Sequence, residues 1–173
     1  MEILEDLASW QQVFEAGWLK TYQETGEMDW SLYKRPTNKT APTGPAIDLS
    51  QSRLGLISSG GFYLANTQEP FDAENDLGDY TMRPFPSTTP FADLAIAHTH
   101  YDHTAVLADH QVLLPLGHLQ EMSQAEKIGQ VAPSTISFSG YLPQAHRTVT
   151  ELIPKIVAFA QNEAWNAAFL VPS

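Results

Sequence analysis

The sequence predicts an α/β fold: a single three-layer domain with a mainly parallel sheet, preceded by an N-terminal helix and an extended linker. Three observations point there. Short apolar runs at residues 53–58, 94–97 and 167–171 have strand length, helical periodicity fills segments between such runs, and 173 residues suit one domain with its own core. Strands that alternate with helices favour a parallel sheet covered on both faces. The expected division is residues 1–51, a helix and a Pro-rich linker, followed by residues 52–173, the α/β body.

Taken in order, Ile3, Leu4, Leu7, Trp10, Val13, Phe14, Trp18 and Leu19 recur at helical spacing, predicting a helix over residues 2–24 that Gly26 stops. With Trp10, Trp18, Tyr22 and Trp30 close together, its stripe is either a contact with a partner subunit or second copy, or a packing surface for its own domain. Pro36, Pro42, Gly44 and Pro45 mark an extended connector. Arg53–Ser58 reads as a buried strand ending in Ser59-Gly60-Gly61, whose glycines permit a tight turn and close approach of a ligand to the main chain. The G-x-G-x-x-G spacing of a dinucleotide site is absent. Residues 80–85 and 94–97 are expected as further strands, the latter delivering a histidine-rich segment at its end. Residues 116–127 read as a helix stopped by Gly129, and residues 134–138 as a strand. Residues 148–162 read as a helix with Pro154 in its first turns, and residues 167–171 as a last buried strand with no helix after it.

Composition excludes several classes. Nine basic against twenty acidic residues give a net charge of −11, the wrong sign for gripping phosphate backbones, so no nucleic acid is expected. The acidic run Glu69, Asp72, Glu74, Asp76 and Asp79 lacks the spacing of an EF-hand and reads as a solvated loop. No run approaches the roughly 18 apolar residues of a membrane span. The acidic opening does not resemble an export signal, so a cytoplasmic protein is expected. The absence of cysteine excludes thiolate nucleophiles and any cysteine-ligated cofactor within these residues.

The chemistry concentrates in His98-Thr99-His100-Tyr101-Asp102-His103, which holds half of the six histidines. On an extended backbone His98, His100 and Asp102 project from one face. With His103 they are candidate ligands for zinc or iron. They are equally candidate catalytic residues without metal, a histidine acting as general acid or base oriented by Asp102. A third reading is a hydrogen-bond network that only shapes the loop. Gly60, Gly61 and Tyr101 are the candidate substrate-binding residues. His110, His118 and His146 are weaker candidates, and His110, beside Asp109, is the best of them, being close enough in sequence to fold back onto the cluster.

The H-x-H-x-D-H spelling is similar to the metal-binding motif of the metallo-β-lactamase superfamily, which implies a metal-dependent hydrolase or lyase. The match is local, and Thr104-Ala105-Val106 stands where that superfamily usually has glycines. A broader likeness spans residues 53–173. Gly55-Leu56-Ile57 with Gly60-Gly61, Glu69-Pro70-Phe71-Asp72, Gly78-Asp79, Arg83, His98 with His100 to His103, Pro115-Leu116, Ile128-Gly129, Phe138 to Tyr141 and Ala168 to Pro172 occur in order. Together they resemble the selenoprotein-B family of glycine, sarcosine, betaine and D-proline reductases. The resemblance implies reductive cleavage of a carbon–nitrogen bond in an amino acid or related amine, with partner subunits. It also implies a selenocysteine or cysteine directly after the strand that ends at Pro172. This chain has Ser173 there and no cysteine, so two expectations stand. Either translation or annotation of a longer gene ended at a selenocysteine codon, or the chain lacks the thiol chemistry and is a non-catalytic partner subunit or relies on its histidines.

Overall fold

The computed structural model describes residues 4–41 and 44–173. The expected helix start at Glu2 and Ile3 and the linker residue Pro42 lie outside them. Helix α1 is a continuous rod over residues 7–25, made of Leu7–Phe14, a π-helical turn Glu15–Leu19 and Lys20–Thr25. Gly26 ends it with φ +74°, a left-handed conformation open to glycine. Spacing of four residues stacks the rings of Trp10, Phe14, Trp18 and Tyr22 along one face, at centroid distances of 4.9, 5.4 and 5.7 Å. Tyr33 meets the first three of these rings edge-on, and Trp30 covers Trp18, which is fully buried.

The aromatic stripe is therefore occupied within the chain. Trp30 packs on Tyr141, the Tyr33 hydroxyl donates to the Pro143 carbonyl, and the Tyr22 hydroxyl donates to Asp76. The Trp18→Ala substitution should cost about 3–5 kcal/mol, the usual range for emptying a large buried aromatic site. Denaturant unfolding followed by far-UV dichroism measures it, and a cost below about 1 kcal/mol would show that the rod is not part of the cooperative unit.

The body is an α/β domain around a mainly parallel sheet. Strand β1 (Arg53–Ser58) is central. It pairs in parallel with β7 (Ala167–Val171) on one side, and on the other with β5 (Gln130–Val131) at its start and β6 (Ser134–Ser137) at its end. Ala132 and Pro133 interrupt what is otherwise one strand line. Strand β3 (Arg83–Pro86) closes that side antiparallel to β6. Pro84 and Pro86 lack amide hydrogens, as suits an edge strand.

Alternation sends Leu54 and Leu56 into the main core with Phe62, Phe85, Val106, Leu113, Leu114, Leu119 and Ile128. It sends Gly55 and Ile57 to the opposite face, where the Trp165 ring lies over Gly55. Helices α2 (Thr104–Ala108) and α3 (Leu116–Gln124) contribute Val106 and Leu119 to the main core. No helix of the described residues is long and apolar enough to cross a membrane.

Several expectations change. Residues 94–97 do not join the main sheet: β4 (Leu94–Ile96) pairs antiparallel with β2 (Phe62–Leu64) in a separate ribbon. Gly61, at φ +72°, redirects the chain after β1, so β2 leaves the sheet and takes β4 with it. The C-terminal helix α4 begins earlier than expected and runs over residues 145–162, which places Pro154 in its interior. A π-helical turn, Thr148–Leu152, ends two residues before the proline. Its wider winding accommodates the missing amide and the ring that would otherwise collide with the preceding turn.

Candidate functional site

Open parallel sheets bind ligands beyond the carboxyl ends of their strands. Three such ends meet here. Beyond β1, the Ser59 amide donates to the Val171 carbonyl at 3.0 Å, and Gly61 donates to the Phe138 carbonyl at 3.0 Å. Gly60 bridges Ser139 beyond β6. Beyond β7, the Ser173 amide donates to Ser59 Oγ at 2.7 Å, and the two hydroxyls lie 3.0 Å apart. A side chain at Gly140 would stand 3.0 Å from both hydroxyls, so they would have to shift by a few tenths of an ångström to admit one.

The β2–β4 ribbon brings the histidine segment to the same edge. The Ala97 amide donates to the Gly61 carbonyl at 2.9 Å, which sets His98 beside the glycine turn. Tyr101 reaches across it, its hydroxyl donating to the Gly60 carbonyl at 3.0 Å, and burial pushes that phenol up to about 12. Gly60, Gly61, His98 and Tyr101 are thus assembled as one unit.

His98 is only 4% exposed. Its Nδ1 accepts from the His100 amide at 3.1 Å, which fixes the tautomer with hydrogen on Nε2. That Nε2–H is buried with no partner in the protein. Burial, reinforced by the neighbouring His100 and His103, holds the imidazole down to about 4, so it is neutral at pH 7. A buried, unpaired donor costs roughly 1–3 kcal/mol and calls for an explanation; an acceptor on a bound molecule supplies one.

The remaining members of the cluster turn elsewhere. His100 is exposed and stacks on Tyr141 at 3.7 Å, with 4° between the rings. The Thr99 hydroxyl donates to the Ala73 carbonyl, so at 3.3 Å it receives hydrogen from His100 Nδ1 and leaves His100 Nε2 a lone-pair acceptor. His103 donates from Nε2 to the His98 carbonyl at 2.8 Å. Asp102 accepts from the Thr104 amide and hydroxyl, bonds that hold its carboxyl below the ordinary range and secure the start of α2. Consequently His98, His100, Asp102 and His103 do not converge as the expected zinc or iron ligand set. Among the described residues no group of three or more His, Cys, Asp or Glu side chains is arranged to hold a metal ion. The turn that forms α2 prevents it, because it points Asp102 and His103 back at their own backbone.

His110 stacks on Phe91 at 4.6 Å, in a cavity lined in part by Ser87, Leu94 and Leu116, instead of folding back onto the cluster. His118 lies on the surface near Glu121. His146 leaves a buried Nδ1 without a partner, in the first turn of α4.

Sequence reasoning missed Ser59, Gly140, Tyr141 and Ser173 as members of one corner. Each adjoins an expected strand end, and that common placement was the available signal. The side chains present suit a small polar molecule: a neutral buried donor at His98, an exposed acceptor at His100 and the hydroxyls of Ser59 and Ser173.

A model of the family described as glycine/sarcosine/betaine reductase selenoprotein B matches residues 25–160. No curated protein and no solved structure matches the chain.

Proposed function

This chain belongs to the glycine/sarcosine/betaine reductase selenoprotein B family, and we propose that its carboxyl-edge site binds a small amine or amino acid for reductive cleavage of a carbon–nitrogen bond. One observation carries the reading: the buried, unpartnered His98 Nε2–H beside Gly60 and Gly61. A substrate carboxylate is a strong acceptor for such a donor, and a charge-assisted hydrogen bond is about twice as strong as a neutral one.

In this reading His98 holds the substrate's oxygen, and the glycine turn lets the His98 segment pack close against the end of β1. Tyr101 fixes the turn through Gly60. His100, the exposed base, accepts or returns a proton as the leaving amine changes charge. Asp102 and His103 position the segment through Thr104 and the His98 carbonyl. The cleavage breaks the carbon–nitrogen bond, releases the amine and takes up two electrons, which a selenol–thiol or dithiol group supplies as it closes to a selenosulfide or disulfide, in concert with partner subunits. The chain has no cysteine, so that group comes from outside these 173 residues.

Titration calorimetry with glycine, sarcosine and betaine tests the binding step without any turnover. At least one should bind the wild-type chain, and His98→Ala should weaken it about tenfold or more, the loss of one charge-assisted hydrogen bond. Equal affinity in a folded His98→Ala variant, or no heat from any of the three amines at millimolar concentration, would overturn the proposal.

A further inference from the structure

Beside β5 the main sheet opens into a walled groove. The Gln130 amide donates to the Ser52 carbonyl at 3.1 Å and the Ala132 amide to the Leu54 carbonyl at 2.8 Å, which ties β5 to β1. The N–H and C=O of Val131, between them, are thereby turned away from β1, and among the described residues neither has a protein partner. The β3 line stops short of covering them. The Ser87 amide still donates to the Pro133 carbonyl at 2.8 Å, but a turn closed by the Thr89 amide on the Pro86 carbonyl, at 2.9 Å, carries the chain away. The gap of about 440 Å³ is walled by α3, where Gln120, Ser123 and Gln124 recur on one face. Through Ser87, Thr88 and Gln120 it continues into the cavity of about 230 Å³ beside Phe91, with apolar walls at Leu94, Leu114 and Leu116.

We infer that this groove binds a short, extended, uncharged peptide segment that adds to β5. A peptide unit carries the C=O and N–H that the Val131 N–H and C=O call for, and in strand addition such main-chain bonds give affinity while side-chain pockets give specificity. Ser87 supplies a further donor. Its hydroxyl, on a residue 6% exposed, lies 3.0 Å from that of Thr135, which is fully buried and has no other partner. A buried hydroxyl keeps its hydrogen paired, so Thr135 donates and the Ser87 hydrogen is left for the groove. An apolar side chain of the segment enters the Leu94 end. Charge selects the occupant: nine basic and twenty acidic residues are present in the chain, yet no carboxylate, ammonium or guanidinium lines either part of the groove. An ion there would lose water without gaining a counter-charge, whereas amides and hydroxyls are matched. Because β5 is two residues long, the segment is held over only a few residues. The groove is separate from the histidine corner: Leu54, the partner of Val131, precedes Ser58 by four residues, about 13 Å along β1.

The blocked tripeptide acetyl-seryl-leucyl-serinamide, titrated into the isotope-labelled 173-residue chain and followed by amide chemical shifts, is the test. The Ser87, Gln120 and Val131 resonances should shift saturably, with half-saturation below about 1 mM. Val131→Pro removes only the outward N–H, since the bonds from β5 to β1 come from Gln130 and Ala132, and should weaken binding about tenfold or more. Gln120→Trp, on the exposed face of α3, fills the groove where its two parts join and should abolish binding. It supplies the readout if the proline variant fails to fold. No saturable shift in the wild-type chain at millimolar concentration overturns the inference, and so does unchanged affinity in either folded variant. None of these results depends on whether an amine binds at His98.

Discussion

Acidification from pH 7 to pH 4 should destabilise the fold through His98 by on the order of 2–3 kcal/mol, and His98→Gln should remove that component. The imidazole is held down to about 4 in the fold, first by burial and then by His100 and His103, whereas an unfolded histidine titrates near 6.5. Between those values the unfolded chain binds a proton that the folded chain refuses. Stability therefore rises with pH across the window. The contribution is fully present above about 6.5 and is lost progressively as pH falls towards 4. Carboxylates also titrate at the acid end, but they do so in both proteins and cancel in the comparison. Thermal unfolding of wild type and His98→Gln from pH 7 to 4 measures the difference, expected as a convergence of roughly 5–10 °C towards acid. Parallel curves through that window would mean that His98 is already solvated and unable to serve as a neutral buried donor.

The second large effect belongs to Gly61. An alanine there must hold φ +72°, which costs about 1–2 kcal/mol for a residue with a side chain. Its Cβ would also stand 2.6 Å from the Ala97 carbonyl oxygen and 2.9 Å from His98 Cβ. The first of these is backbone in the β2–β4 ribbon and cannot rotate away. Overpacking adds about 1–3 kcal/mol, so Gly61→Ala should lose roughly 2–5 kcal/mol and push His98 out of register with Gly60. Gly44→Ala, where a side chain meets nothing within 4 Å, is the control and should change stability by less than about 0.5 kcal/mol. Chemical denaturation of both variants, with amine titration of any Gly61→Ala that folds, decides the matter. A loss at Gly61 no larger than at Gly44 would mean that the ribbon gives way freely and does not fix the site.

Much of the molecule was legible in its residues, and the reasons differ by element. The run Arg53–Ser58 is almost wholly buried, so it had to be apolar and short, and it read as a strand. The last strand read correctly for its length and β-branched end, although its burial did not: Phe169 and Leu170 are exposed because β7 lies at an edge. Residues 80–85 shortened to Arg83–Pro86, because only the part that meets β6 is a strand. Pro154 suggested the start of a helix, since sequence alone does not show that a π-helical turn can absorb a proline deeper inside one. The histidine segment was legible as a cluster. Its division into a buried donor, an exposed acceptor and two residues bonded to their own backbone was not.

The sequence by itself determined the class of fold, the family resemblance, the absence of a thiol and the segment in which histidine chemistry lies. Those properties are local: periodicity, composition and spacing are written residue by residue. The tertiary structure decided which strands share the main sheet, that His98 is buried beside Gly61, and that Ser59, Gly140 and Ser173 share a corner. Those depend on backbone hydrogen bonds between distant segments, such as Ala97 to Gly61 and Ser59 to Val171. Nearly every residue carries the same amide and carbonyl, so the choice among such pairings leaves little mark on the side chains that make up a sequence.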